Sequence, residues 1–451
     1  MKHIHFIGIC GVAMSALALA FKKAGWQVTG SDVGIYPPIS DYLKKNKVDY
    51  YTGWHPEKMS PSASSGQRPD LVVVGNVAGS TNPEWLYTQE HKLEYKSYPE
   101  LIAEYFVKKN SIVCAGTYGK TTTAALLSWI LTQAGMEPNY MFGGLTVDVE
   151  FPSAMLPPHP RPLLGQEREY SVLEGDEYKS SRWDNRPKFA HYSPTHLLLT
   201  AVEWDHADVY PTEESYFAAF ENLVKSVPKN GTIVMNESVS LNIEHGPWNK
   251  PTIKTYGKSG SADYRYYDVK QNNDGIEFKI AMCAPCSMIH DPSYVLRANT
   301  LGNYMAENIT GAFAMACEIG IKPEIIIKAI SEFKGLKRRL EKRFEGEITV
   351  FDDIAHSPAK AQSALETLRK IYLGKIPRSA RNDKHRVIAI FEPNTGNRQP
   401  EAIPNYDNKF SAADLVIIPG LTRIKHDQKK SPPLEGEELA KIISKTHSNV
   451  K

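Results

Sequence analysis

Residues Ser111 to Thr123 read S-I-V-C-A-G-T-Y-G-K-T-T-T: an apolar run, a turn bracketed by Gly116 and Gly119, and a helix-forming stretch that opens on Lys120 and Thr121. A strand that passes through such a turn straight into a helix belongs to the parallel-sheet α/β architectures. The turn predicts a phosphate cradle. Its backbone N–H groups point at phosphate oxygens, the helix N-terminus adds a favourable dipole, Lys120 reaches the β- and γ-phosphates, and the Thr121 hydroxyl holds Mg²⁺. Gly116, Thr117, Gly119, Lys120, Thr121 and Thr122 are therefore the candidate nucleotide contacts, on a surface turn, with a nucleoside triphosphate as ligand. The spacing departs from G-x-x-x-x-G-K-[ST], since Cys114 stands at the place of the first glycine and Gly116 supplies the early flexibility.

A chain of 451 residues exceeds one ordinary core, and the size prior gives about three domains. At 41% hydrophobic, 23% charged and net charge +2 it offers no concentrated basic surface, which argues against a nucleic-acid or anionic-membrane partner. Five cysteines spread over the chain fit a reducing compartment, and Cys283-Ala-Pro-Cys286 lacks the second pair of a metal site. No apolar run reaches the roughly 20 residues that span a bilayer, so the expected location is the cytoplasm.

Strand-like and helix-like runs alternate: His3–Ile9, Val12–Lys23, Trp26–Gly30, Ile39–Lys45, Leu71–Gly75 and Pro99–Lys108. The alternation predicts an open, largely parallel sheet. Ser60–Pro69 and Pro152–Leu164 read as loops. A second α/β region is expected over 110–333 and a third over 334–451, with strands at Ile348–Phe351, Val387–Phe391 and Leu415–Ile418 and a helix at Pro358–Ile371.

Three further clusters carry chemistry. Gly8-Ile9-Cys10-Gly11 occupies the first strand-to-helix turn with Asp32 closing the second strand, the arrangement in which a diphosphate and a ribose are bound; Ala13 takes the place of the last glycine, and a plain packing turn is the other reading. Glu174-Gly175-Asp176-Glu177 and Asp205-His206-Ala207-Asp208 end two later strands and should face the phosphate turn with oxygen ligands for Mg²⁺. Arg338, Arg339 and Asp353 lie near a third-region strand end, where a guanidinium suits a phosphoryl group and a carboxylate a ribose.

Together these residues resemble the Mur ligase family, ATP-dependent amide-forming enzymes of peptidoglycan synthesis, over nearly the whole chain. The resemblance implies three α/β domains: a Rossmann-like UDP-binding domain at 1–109, a P-loop ATPase-like domain at 110–333, and a Rossmann-like, shortened amino-substrate domain at 334–451. It implies ATP and Mg²⁺ as cofactors. Lys120, Glu174 and His206 would be catalytic, with Thr121, Glu174 and His206 around the metal. Asn308 would lie on the adenine side, and Arg339 and Asp353 would reach the nucleotide. Gly8, Gly11, Ser15, Asp32 and Asn76 would surround UDP-N-acetylmuramate. Ile9-Cys10-Gly11, Tyr36-Pro37-Pro38-Ile39-Ser40 and Asp184-Asn185-Arg186-Pro187-Lys188-Phe189-Ala190-His191-Tyr192 point to the branch that accepts a murein tripeptide, with Arg186 and Lys188 as its carboxylate contacts. The branch that accepts L-alanine is the first alternative, and a nucleotide-binding homologue without catalysis the second. Tyr118, Tyr304-Met305, Ser357 and Asn394 depart from the histidine, His-Asn, histidine and arginine of the family pattern.

Overall fold

The computed structural model describes residues 1–60, 68–157, 169–204, 209–242, 250–282, 292–374, 386–421 and 432–451. Its first sheet consists of β1 (His3–Ile7), β2 (Gln27–Asp32), β3 (Asp49–Thr52), β4 (Leu71–Val74) and β5 (Tyr95–Ser97), all parallel, in the order β3-β2-β1-β4-β5. Every residue of the central strands β1 and β4 is buried, as expected where helices cover both faces. Those helices are α1 (Val12–Lys23), α2 (Ile39–Lys45), α3 (Pro83–Glu90) and α4 (Tyr98–Tyr105). Asn82 caps α3 by accepting from Trp85 N, and Ser97 with Glu100 forms a capping box on α4, each followed by a proline in the first turn. The order reverses on either side of β1, so a crevice opens at the carboxyl ends of β1 and β4.

The second sheet has ten strands: β6 (Asn110–Ala115), β7 (Asn139–Met141), β8 (Ala154–Met155), β9 (Tyr170–Gly175), β10 (His196–Leu199), β11 (Thr232–Asn236), β12 (Thr252–Gly257), β13 (Tyr264–Gln271), β14 (Ile276–Met282) and β15 (Ser293–Ala298). Their order is β15-β14-β13-β12-β11-β10-β6-β9-β7-β8. β6 thus lies between β9 and β10, parallel to both, with Ala115 level with Gly175 and Leu199. Helices α5 (Lys120–Gln133), α6 (Glu213–Lys225), α7 (Tyr304–Glu318) and α8 (Pro323–Glu332) accompany it. β8 corrects the expected Pro152–Leu164 loop: buried Ala154 pairs antiparallel with Met141, and 158–164 lie outside the described residues, as do 61–67 of the Ser60–Pro69 loop.

The third region carries β16 (Glu341–Glu345), antiparallel to β17 (Thr349–Asp352), then α9 (Pro358–Leu373), the parallel pair β18 (Ile388–Ile390) and β19 (Leu415–Ile417), and α10 (Gly436–Ser444). The three strands foreseen here are present, but β17 pairs with β16 in a ribbon apart from the β18–β19 pair. Phe391, Tyr406, Phe410, Val416, Leu439 and Ile443 form its core. The chain makes two compact units, 1–268 with 278–298 and 306–336, and 269–277 with 299–305 and 337–451. The first two sheets share one unit.

Candidate functional site

The turn between β6 and α5, the expected phosphate cradle, is tight and depends on its glycines. Gly116 has φ +137°, and a Cβ there would lie 2.2 Å from Thr200 Oγ1 and 2.6 Å from the Ala201 carbonyl oxygen, so only glycine fits against the end of β10. Thr117 is buried and structural: its hydroxyl donates to Glu203 O at 2.8 Å, accepts from Glu203 N at 2.9 Å and meets the Tyr216 hydroxyl at 2.9 Å. Asn308, from α7, lies against Gly119, where a Cβ would be 2.3 Å from its Oδ1. Thr121 and Thr122 are buried in the first turn of α5.

Lys120 does not stand on an open surface turn. Its side chain is 13% exposed; its ammonium donates to Oε1 of Glu177, itself 1% exposed, at 3.1 Å and lies 2.8 Å from Oε2 in an ion pair. Burial works against the charged ammonium, but the carboxylates of Glu177, Asp176 and Glu174 outweigh it and raise the Lys120 pKa above the usual lysine range. Across the β6–β9 pairing, Thr121 Oγ1 donates to Glu174 Oε1 at 2.6 Å, and Gly143 N donates to Glu174 Oε2 at 2.5 Å. A hydroxyl and a carboxylate oxygen this close are hard oxygen ligands of the kind that Mg²⁺ favours. Among the described residues no group of three or more His, Cys, Asp and Glu side chains converges on a metal position, and Asp205, His206 and Asp208 lie outside the described residues.

Asp176 is ion-paired with Lys188, whose ammonium also lies 5.8 Å from the Tyr98 ring centroid and 5.9 Å from that of Tyr178. Burial disfavours the Asp176 carboxylate, yet Lys188 and Lys120 hold its pKa below the usual range. Arg186 forks onto Asp184 with contacts of 2.7 to 3.0 Å, which holds the Asp184 carboxyl at about 2. Arg186 remains 64% exposed. The same segment ties the two sheets together. Arg182 Nε donates to Ala78 O at 2.7 Å, and Trp183 stacks on Trp85 with centroids 5.2 Å apart.

At the first turn Gly8 has φ +87°, and Gly8 N and Ile9 N both donate to Ser31 O. The Asp32 carboxylate accepts from Cys10 N at 2.9 Å and Gly34 N at 3.1 Å, so it clamps the loop that was expected to present it to a ribose. Ser15 is fully buried with its hydroxyl on Val12 O, whereas Asn76 is exposed at the end of β4. Behind this turn Ser31 bonds to Glu84, a fully buried carboxylate that also accepts from the Tyr51 hydroxyl and His55 N at 2.8 Å. In the second unit Asp353 repeats the pattern of Asp32: its oxygens accept from Leu340 N at 2.7 Å and Ala355 N at 2.8 Å, beside exposed Arg339. Burial raises the Asp353 pKa against those two bonds.

The local pattern missed Glu177 as the partner of Lys120, although it lies three residues beyond Glu174. It also missed Thr200, Tyr216 and Arg182, whose partners are remote in sequence.

Two family descriptions match the chain: the Mur ligase catalytic domain over residues 3–109 and the Mur ligase middle domain over residues 114–316. The UDP-N-acetylmuramate–L-alanyl-γ-D-glutamyl-meso-2,6-diaminoheptandioate ligase of Escherichia coli is 32% identical over 398 residues, 86% of this chain and 78% of that protein. The enzyme of the same name from Haemophilus influenzae is 30% identical over 400 residues, 87% of this chain and 80% of that protein. A murein peptide ligase from Psychrobacter arcticus, 27% identical, superposes with a TM-score of 0.70 over 99% of this chain and 88% of its own. With its glycine-bracketed turns at the ends of β1 and β6, and relatives alike over most of their length, the chain belongs to the Mur ligase family.

Proposed function

We propose that the chain is an ATP-dependent ligase that joins the carboxylate of UDP-N-acetylmuramate to the amine of L-alanyl-γ-D-glutamyl-meso-diaminopimelate. The observation that carries the reading is the cluster at the end of β6, where Lys120 stands beside the Thr121–Glu174 oxygen pair. Gly116, Gly119, Lys120, Thr121 and Thr122 would hold the ATP phosphates, while Thr117 shapes the turn from behind. Thr121 and Glu174, with His206, would hold Mg²⁺, which supplies charge neutralisation at the phosphates. Asn308 would sit near the nucleotide, with Arg339 and Asp353 as third-region contacts. Gly8, Gly11 and Asn76 would border the uridine nucleotide, with Asp32 and Ser15 shaping its turn. The division into domains at 1–109, 110–333 and 334–451 and a cytoplasmic location belong to the same reading; among the described residues no helix is long and apolar enough to cross a membrane.

The protein's own contribution is positioning. Phosphoryl transfer draws its catalysis from oriented charge, and Lys120 is already oriented by Glu177. The tripeptide is favoured over L-alanine by the 184–192 segment and by the substrates in the names of the Escherichia coli and Haemophilus influenzae relatives. Lys188 and Arg186 are each paired with a carboxylate, Asp176 and Asp184, and Arg186, at 64% exposed, is the more accessible of the two to an acceptor carboxylate. The deciding experiment measures ADP release with UDP-N-acetylmuramate and a panel of amines. Strong stimulation by the tripeptide and little by L-alanine is expected. Equal or greater stimulation by L-alanine would replace the acceptor assignment, and no release with any amine would replace the ligase reading with nucleotide binding alone.

A further inference from the structure

The crevice at the first turn has a charge problem. A nucleoside diphosphate brings two or more negative charges, yet the segments that follow β1 to β4 at this end, 8–11, 33–38, 53–60 and 75–82, contain a single Lys or Arg, Lys58. Its ammonium lies over the Tyr51 ring, 4.1 Å from the centroid. The Asp32 carboxylate adds negative charge at the turn itself, and the backbone N–H groups of Gly8, Ile9 and Cys10 are taken by Ser31 O and Asp32. Backbone dipoles alone are a weak counter-charge for such a ligand.

The second α/β region places a cation on the segment that follows β4. Arg182 is exposed and lies at the end of β4: Nε donates to Ala78 O at 2.7 Å, and an Nη is 3.8 Å from where a Cβ of Gly79 would stand. Val77, one residue earlier, borders the turn so closely that a Cβ on Gly8 would be 2.5 Å from it. The neighbouring Trp183 fixes the backbone by stacking on Trp85 and meeting Tyr95 edge-on at 5.3 Å. Among the described residues no bond to the terminal guanidinium nitrogens of Arg182 is formed, so a held stem carries an open fork.

We propose that Arg182 is a binding residue for the diphosphate of the sugar nucleotide, supplied across the two α/β regions to a turn that has no cation of its own. The proposal rests on the sugar-nucleotide reading above. It makes the 178–192 segment a shared wall of both sites, with Arg182 on the diphosphate, and Lys188 with Asp176 beside Lys120.

The test is calorimetric titration of the full chain and its Arg182→Gln and Arg182→Lys variants with UDP, UDP-N-acetylglucosamine and UDP-N-acetylmuramate at low and high salt. A lost charge-assisted hydrogen bond should weaken all three ligands by about 10- to 100-fold in the glutamine variant and flatten the salt dependence. Lysine should restore part of the affinity, and ATP binding should stay as in the parent. Unchanged affinity for UDP in the glutamine variant would overturn the proposal. So would a loss confined to UDP-N-acetylmuramate, which would place the cation on the lactyl carboxylate. Loss of ATP binding in both variants would make Arg182 a structural tie only. A parent chain that binds no uridine nucleotide would instead overturn the reading on which the proposal rests.

Discussion

The two glycine-bracketed turns of this chain begin alike, as a buried parallel strand running into a helix, and solve different electrostatic problems. The turn after β6 carries its own cation and surrounds it with carboxylates: Lys120 is clasped by Glu177, with Glu174 and Asp176 close enough to raise its pKa. The turn after β1 has no cation, and its nearest acid, Asp32, is consumed in holding the loop. A site that stabilises charge in flight needs a preorganised charge of its own. A site that only binds can be shaped by backbone and borrow a cation from a neighbour. On the proposed reading, that difference accounts for a lysine that is buried and paired after β6, and for a first turn bordered by Val77 that would take its cation from Arg182.

The largest expected effect is at the charged turn. Lys120→Ala should lower turnover by about 10² to 10³, the usual loss when one electrostatic contact to the reacting group is removed. It should also lower the thermal midpoint, because Glu177 is left in the interior without the ammonium, at a cost on the order of 3–5 kcal/mol. Lys120→Ala combined with Glu177→Gln should recover the midpoint without recovering turnover. Recovery of both would show that the lysine is a structural ion pair and dissolve the contrast between the turns.

Next comes the backbone. Gly116→Ala drives a Cβ into Thr200 and Ala201 at a φ that side chains rarely adopt, for a loss on the order of 2–4 kcal/mol. Gly11, the N-cap of α1, at φ −64° with nothing nearer than 3.7 Å to its added Cβ, should accept alanine at about 1 kcal/mol or less, the preference of that position for glycine. Denaturant midpoints decide this, and an equal loss in both variants would mean that the two turns are under the same steric constraint.

How much of this was legible in the sequence follows from how local each feature is. The β6–α5 turn lies within thirteen consecutive residues, and β1, β4 and β10 are short apolar runs, so both could be read directly. The strands β12 to β15 were missed because they are half-exposed and carry few apolar residues in a row; the alternation that marks such strands is clear in β14, where Ile276, Phe278 and Ile280 point inward between less buried neighbours. The Asn272–Gly275 turn between β13 and β14 was the signal available for them. Asp32 and Asp353 were placed at strand ends correctly, but sequence cannot tell whether a carboxylate there faces a ligand or its own loop. Pairings such as Arg182 with Ala78 join residues about a hundred positions apart, and no local pattern encodes them.

The metal half of the contrast predicts a smaller shift. Thr121→Val and Glu174→Gln should each raise the Mg²⁺ concentration for half-maximal turnover by about tenfold or more, since each removes one oxygen of the pair. The Glu84→Gln variant, behind the cation-free turn, should leave that concentration unchanged. A Mg²⁺ titration that moves with Glu84 and stays fixed with Glu174 would reverse the assignment of the two turns.

The smallest effect belongs to the segment that both turns share. The Asp184 carboxyl is held at about 2 chiefly by the hydrogen bonds from Arg186, against a reference near 3.9 in an unfolded chain. Because the native value is the lower one, the pair stabilises the fold fully above about pH 4, and that contribution fades as pH falls through about 2. Arg186 is mostly exposed, so solvent screening limits the contribution to about 1 kcal/mol or less. Asp184→Asn should therefore lower the thermal midpoint slightly at neutral pH, with a gap that narrows on acidification and shrinks in high salt. His191, 3.0 Å from Asp184, does not change the sign: burial lowers its pKa, and it too gains from a charged Asp184. A gap that stays constant from pH 7 to pH 3 and in high salt would mean that asparagine disturbs the packing of the segment and not its charge. In that case the Trp183–Trp85 stack, and not the charge of the Arg186–Asp184 pair, is the main hold on the segment.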